Sequence, residues 1–284
     1  MIRHRAASWV VFTDLDGTLL DHATYRWDAA QGTLDALRCF RVPLVIVSSK
    51  TRAEVESILI RLGRRDPIVV ENGGAIYLPA GYFPFRIKSA VRAGKGWLRV
   101  GSGTARPQLL QALAQASKRA GVRVRSFAEM SARELAGRAG LSLAGARRAR
   151  ERDFDEPFVI LDSNRQARAR LQREIRCLGL SMTRGSRFFH ILGGNDKGEA
   201  VWKLTAWFYR AFRHPVSTIG LGDSPNDIPM LRAVDLPILV ARPGGRYDRE
   251  TLAAVPRVQR ACGAGPAGWN CALLKILCRP DLLT

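Results

Sequence analysis

Two aspartates one residue apart close an apolar run. Val10 to Leu20 reads VVFTDLDGTLL, so Asp14 and Asp16 follow four apolar or β-branched residues and precede a Gly-Thr turn. Carboxylates this near raise each other's pKa unless a cation lies between them. The pair must therefore share a proton, share a metal, or lie on opposite sides of a loop. Comparable groups end other apolar runs. Residues 42–50, VPLVIVSSK, deliver Ser48, Ser49 and Lys50. Residues 216–223, VSTIGLGD, deliver Asp223 and continue into Ser224, Pro225, Asn226 and Asp227. Lys197 follows GGND and opens a helical pattern.

The elements that must position these groups read as alternating strands and helices. Trp9–Thr13, 42–49 and 67–70 are short apolar strands suited to burial on both faces. Between them, Ala30, Leu34 and Leu37 fall on one helical face, and Val55, Ile58, Leu59 and Leu62 on another. Thr51 with Glu54 three residues on predicts a capping box, and Gly63 a stop. This order implies right-handed crossovers and a parallel sheet. From about residue 85 to 185 the arginine content rises and strand-like pieces such as WLRVG, VRVRSF and PFVILD alternate with helical ones. This reads as a second α/β module inserted into the first. The final third returns to the earlier style, with Val201, Leu204 and Phe208 on one helical face and a strand over 236–241. Trp202 and Trp207 are expected in the core beside Phe208, and 263–270, GAGPAGWN, reads as a turn before a short final helix.

Ligands of open parallel sheets bind beyond the carboxyl ends of the strands. Asp14, Asp16 and Asp223 can share one hard divalent cation there, and Mg2+ prefers a few carboxylates with waters and a substrate phosphate. Gly17 lets the chain turn sharply, leaving Asp16 to offer its backbone carbonyl and keep its side chain free. Ser48, with Lys50 or Lys197, would meet phosphate oxygens.

The chain has 284 residues, 46% apolar and 25% charged, enough for a sizeable core. Its 45 Lys and Arg against 25 Asp and Glu give a net charge of +20. The basic residues are spread out, as in 144–153 and 163–176, and carry no zinc-finger or RNP signature. They read as an Arg-rich surface that attracts small anions; nucleic acid is not the expected partner. The apolar run Trp9–Phe12 is too short for a signal-peptide core, and no run approaches a membrane span. Five cysteines without a CxxC pair read as free thiols in a reducing cytoplasm, and Cys262, Cys271 and Cys278 fit no usual zinc spacing.

DLDGT (14–18), Ser48 at a strand end, helix-initial Lys197 and GDSPND (222–227), in this order, resemble the four motifs of the haloacid dehalogenase superfamily. SSKTRAEVE (48–56), ENGG (71–74), RDFDEPF (152–158), RGSRFFHILGGNDKGEAV (184–201) and GPAGWN (265–270) resemble mannosyl-3-phosphoglycerate phosphatases over nearly the whole chain. The resemblance implies an α/β fold: a Rossmann-like parallel sheet core, residues 1–85 and 186–284, with an inserted α/β cap domain, 86–185. It implies Asp14 as nucleophile forming an aspartyl-phosphate, Asp16 as acid and base, Ser48 on a phosphoryl oxygen and Lys197 as the neutralising charge. Asp223 would complete the Mg2+ site, with Asn226 and Asp227 behind it or reached through water. Glu71 and Asn72 are expected at the mouth of the site, and Ser49, Lys50, Arg187 and His190 on the substrate. The expected substrate is a small anionic phosphorylated sugar, mannosyl- or glucosyl-3-phosphoglycerate. Another sugar phosphate such as sucrose phosphate is the alternative within the class, and polyanion binding on the same fold the alternative outside it. Oligomeric state is not legible.

Overall fold

The computed structural model describes residues 9–278 except 95, 102, 163 and 186. The basic residues before Trp9, expected to carry no targeting core, lie outside the described residues. The first strand, β1 (Trp9–Thr13), is wholly buried. Alternate residues feed the two faces of the sheet: Val11 packs with Leu44 and Ile46, whereas Val10 and Phe12 pack with Val45 and Val47. Burial on both faces is why these segments are apolar without alternation. Helix α1 (Gln31–Cys39) returns the chain to β2 (Leu44–Val47), and α2 (Arg52–Arg61) returns it to β3 (Ile68–Val70). The expected capping box is present: Thr51 accepts from the Glu54 backbone and Glu54 accepts from the Thr51 backbone.

After β3 the chain reverses into β4 (Ala75–Pro79), β5 (Val91–Arg92) and β6 (Trp97–Gly101). Helix α3 (Arg106–Ala120), β7 (Val124–Ser126), α4 (Ala132–Ala139), α5 (Leu143–Ala149), β8 (Asp155–Ile160), α6 (Arg165–Cys177), β9 (Ser181–Arg184) and β10 (Phe189–Leu192) follow. The chain ends on α7 (Lys197–Phe212), β11 (Ser217–Gly222), α8 (Ile228–Ala233), β12 (Leu236–Ala241), α9 (Arg249–Ala254), β13 (Gln259–Ala264) and α10 (Gly265–Leu277). The main sheet runs β13-β12-β11-β1-β2-β3-β4-β6-β5, parallel from β13 to β3 and antiparallel beyond. A second, antiparallel sheet runs β7-β8-β10-β9, with α3 and α6 on one face. Phe127, Leu135, Ala139 and Ala146 form a separate small core under α4 and α5.

The strands change sheets at places other than 85/86 and 185/186. WLRVG, expected in the insert, is β6 and pairs with β4 from Ala75–Gly101 to Pro79–Trp97. The buried Trp97 indole also donates to Glu56 of α2. His190, expected in the core segment, lies on β10, which pairs with β8 and β9 in the second sheet. GPAGWN is the first turn and a half of α10 rather than a turn. Its Trp269 is fully buried, and its indole donates to Thr13 Oγ1 behind the end of β1. Trp202 is 59% exposed, so it is not core. On α7 the buried stripe is Val201, Leu204 and Phe208, and Trp202 stands one residue off it.

Candidate active site

The carboxyl ends of β1 and β11 meet. The Asp14 backbone N–H donates to Leu221 O at 2.9 Å, which brings Asp14 beside the loop that carries Asp223. Lys197, the first residue of α7, is 1% exposed and reaches in from above. Its ammonium donates to Asp14 Oδ1 at 2.9 Å and to Asp227 Oδ1 at 2.7 Å. Burial works against that charge, but Asp14 and Asp227 outweigh it and hold the lysine above its ordinary range. Asp227 Oδ2 accepts from the backbone N–H groups of Asp223 and Ser224, so both Asp227 oxygens are engaged and the 223–227 loop is pinned.

Burial, then Asp227, pushes the Asp14 carboxyl well above the usual carboxylate range, against the pull of Lys197. Burial and Asp227 push Asp223 up to about 7. Asp14, Asp223 and Asp227 carry oxygens within 4.8 Å of one another. Asp223 Oδ1 is buried and has no hydrogen-bond partner, while Oδ2 lies 3.6 Å from the Arg242 guanidinium. Three crowded acids, one with an orphaned oxygen, suit a divalent cation: it would satisfy that oxygen and remove the repulsion. Gly17, with φ +80°, allows the approach, since a Cβ there would sit 3.0 Å from Asp223 Oδ2.

Asp16, expected to meet the metal through its backbone carbonyl, keeps its side chain out of the acidic cluster but not free. Its side chain is not one of the three clustered acids; Oδ2 pairs with the Lys50 ammonium at 2.8 Å and Oδ1 is buried without a partner. Lys50 also lies 3.8 Å from Glu54 and 5.1 Å over the Tyr25 ring. Burial disfavours the Lys50 charge, yet Asp16 and Glu54 raise it above the ordinary range. Ser48 is buried at the end of β2; its hydroxyl accepts from the Lys50 N–H and its carbonyl from the Asn72 N–H.

The second sheet and its helices roof this region, leaving a cleft lined by Asp16, Ser49 and Lys50 below and by Arg152, Arg187 and His190 above. The two sides are fastened together. Tyr25 Oη donates to Ala139 O at 2.8 Å, Thr51 Oγ1 to Arg148 O at 2.9 Å, and Arg152 Nη1 to Ser49 O at 3.1 Å. Arg187 donates to Ala139 O and, at 2.7 Å, to His22 O. Its guanidinium, expected on the substrate, is thus engaged on backbone carbonyls at the cleft wall. His190 is buried with Nδ1 2.9 Å from Asp155 Oδ2, so one ring nitrogen is already committed.

Glu71 and Asn72, expected at the mouth, lie in the buried turn between β3 and β4. Both are buried with left-handed φ of 51° and 56°. The Glu71 carboxylate accepts from the backbone N–H groups of Asp153 and Phe154, and burial pushes it up to about 7. Asn72 donates to Asp155 Oδ2 at 2.8 Å. Gly73 follows at φ +95°, and a Cβ there would lie 2.4 Å from the Asp196 backbone. ENGG is therefore the point where the segments around 103, 153 and 195 cross: Gly103 N–H donates to Gly74 O, and Asn195 Nδ2 to Glu71 O and Phe154 O. Composition marks such a turn, but its long-range partners carry no local signal. Asp155, Arg152, Tyr25 and Trp269 escape sequence reasoning for the same reason.

Residues 11–83 match the family model of haloacid dehalogenase-like hydrolases. A glucosyl-3-phosphoglycerate/mannosyl-3-phosphoglycerate phosphatase of Methanococcoides burtonii is 39% identical over 268 residues, spanning 94% of this chain and 97% of that protein. The chain belongs to this phosphatase family. A second member, from Persephonella marina, is 36% identical over 283 residues, again 94% of this chain and 97% of its own. The fold is shared with a Thermoplasma acidophilum protein, TM-score 0.66 at 16% identity, covering 97% of this chain and 99% of that one. A phosphatase of the haloalkanoate (HAD) enzyme superfamily from Bacteroides thetaiotaomicron gives 0.63 at 17%, covering 98% and 97%. The expected fold class, a parallel α/β core with a cap, is the observed one. Among the described residues no helix is long and apolar enough to cross a membrane.

Proposed function

We propose that this protein hydrolyses glucosyl- or mannosyl-3-phosphoglycerate to the glycosylglycerate and phosphate, in the cytoplasm, with Mg2+ as cofactor. The observation that carries the reading is the Lys197 bridge, a buried ammonium joined to Asp14 and Asp227 beside the unpartnered Asp223 Oδ1. Identity of 36–39% to proteins named for these two substrates supports the substrate class. The five free cysteines support a reducing compartment. The cap in this reading spans 104–192 and the core 9–101 with 193–278, following the two sheets.

Asp14 attacks phosphorus, and the bond from phosphorus to the glycerate oxygen breaks as the aspartyl-phosphate forms. Asp16 gives its proton to the departing oxygen, then takes one from the water that hydrolyses the acyl phosphate and restores Asp14. Ser48 and Lys197 hydrogen-bond the phosphoryl oxygens, and the Lys197 charge opposes the burial that favours a protonated Asp14. The Asp14 and Asp223 carboxylates and the Asp16 backbone carbonyl would hold Mg2+, with Asn226 and Asp227 beside them, and the bound ion would neutralise charge on the transferring group. Ser49, Lys50, Arg187 and His190 form the cleft walls that meet the sugar and the carboxylate, and closure excludes competing water.

Phosphate release from glucosyl-3-phosphoglycerate, mannosyl-3-phosphoglycerate and sucrose phosphate, each with Mg2+ or with chelator, tests this. Turnover on the two phosphoglycerates, lost on chelation, is expected. Faster turnover of a hexose phosphate lacking the glycerate overturns the substrate assignment.

A further inference from the structure

A buried chain of side-chain amides joins the roof of the cleft to the loop beside the acidic cluster. Asp155, the first residue of β8, is fully buried. Its carboxylate faces three groups: His190 Nδ1 at 2.9–3.0 Å, Arg152 Nη1 at 3.5 Å and Asn72 Nδ2 at 2.8 Å. Asn72 Oδ1 in turn accepts from Asn226 Nδ2 at 3.2 Å, and Asn226 Oδ1 accepts from Ser224 Oγ at 2.6 Å. Ser224 and Asn226 lie between Asp223 and Asp227, and the Lys197 ammonium bridges Asp227 to Asp14.

The direction of this chain is set at its Asp155 end. An ionised carboxylate only accepts, so Asn72 must turn its NH2 toward it. Asn72 then has only its carbonyl oxygen for Asn226, Asn226 only its own for Ser224, and the serine proton is drawn to the amide. The Ser224 hydroxyl lies 3.4 Å from Asp227 Oδ2, which is left to the backbone N–H groups of Asp223 and Ser224. With an apolar residue at 155, either amide could rotate, and the Ser224 hydroxyl would be free to turn its proton onto Asp227.

We propose that Asp155 is a positioning residue for phosphoryl transfer, acting through Asn72 and Asn226 on the Asp223–Asp227 loop while it belongs to the cap sheet. The assignment rests on the phosphatase reading above. It also explains why Asn72 holds a left-handed conformation: the strained turn aims its amide between two sheets.

The test compares the unmodified protein with Asp155→Asn, Asp155→Leu, Asn72→Gly and the Asp155→Leu/Asn72→Gly double variant, all with Mg2+. The substrates are p-nitrophenyl phosphate, which needs no sugar contact, and glucosyl-3-phosphoglycerate. Asp155→Leu and Asn72→Gly are expected to lower kcat at least about tenfold on both esters, with KM within about twofold for Asn72→Gly on both and for Asp155→Leu on p-nitrophenyl phosphate, since Asp155→Leu also frees His190 and Arg152 in the cleft. Asp155→Asn keeps an acceptor for Asn72, which its amide oxygen supplies, and stays within about threefold of the unmodified protein. The double variant is no slower than Asn72→Gly, because the two changes cut one chain. Loss confined to KM for the phosphoglycerate, or losses that multiply in the double variant, overturns the assignment. Should Asp155→Leu not fold, Asn72→Gly decides: it suits φ 56°, leaves His190 and Arg152 paired with Asp155, and an unchanged kcat overturns the chain's role. An unmodified protein inert on both esters overturns the phosphatase reading and this assignment with it.

Discussion

Asp14 sits 2.9 Å from a lysine yet its carboxyl is held above the ordinary range, because burial and Asp227 act against Lys197. That crowding of buried charge is unfavourable to the fold. Asp14→Asn removes one of three crowded negative charges while Lys197 keeps Asp227 as partner. Turnover is expected to fall at least about 10³-fold, an amide being a poor nucleophile. The melting temperature in chelator should stay level or rise, and phosphate release together with a thermal melt checks both. Asp223 gives a pH signature. Its folded pKa of about 7 exceeds the unfolded 3.8, so its contribution is full below about pH 3.8 and is lost as pH climbs through 7. In chelator, Asp223→Asn is therefore expected to melt higher than the unmodified protein, with a gap that widens from pH 5 to pH 8. Added Mg2+ should raise the melting temperature of the unmodified protein and not that of the variant, as scanning calorimetry would read.

The ENGG turn is the element on which the two sheets depend. Three successive residues hold left-handed φ, two of them non-glycine. The Glu71 and Asn72 side chains compensate by gripping 153–155. Gly73→Ala would place a Cβ 2.4 Å from the Asp196 backbone and strain φ as well. We expect a loss of about 2–4 kcal/mol in denaturant unfolding. Because Asp196 caps α7 immediately before Lys197, turnover should fall in the same variant, whereas a change at exposed Gly81, which has the same φ sign and open space, should leave turnover intact.

At the scale of the molecule, a charge of +20 is expected to draw anions such as the proposed substrates toward the protein. Much of the arginine also braces the fold. Arg257 donates to the carbonyls of Arg232, Val234 and Asp235, and Arg38 to that of Leu62. Steering and bracing separate by salt. Between about 20 and 300 mM salt, kcat/KM on the phosphoglycerates should fall several-fold while kcat stays flat, since the field acts on encounter and is screened beyond about 10 Å. Steady-state kinetics across that range checks it, and a salt-independent kcat/KM would assign the basic excess to bracing alone.

The amino-acid sequence alone determined the parallel α/β core and which acids, hydroxyls and amines stand at its strand ends. Those signals are local: a buried strand must be apolar, and Asp14, Ser48 and Asp223 follow directly on three such runs. Capping at Thr51 and the stripe of α7 are local in the same sense, although the stripe did not reveal that Trp202 faces outward. Tertiary structure alone decided the partners. Lys50 meets Asp16, Lys197 bridges Asp14 to Asp227, and Glu71 and Asn72 turn inward onto 153–155. It also decided that Trp97–Gly101 extends the main sheet while Phe189–Leu192 joins the other. Periodicity specifies which face of an element is buried. It carries no record of the distant segment that face will meet, and a buried charge chooses its partner only when the chain has brought one within reach.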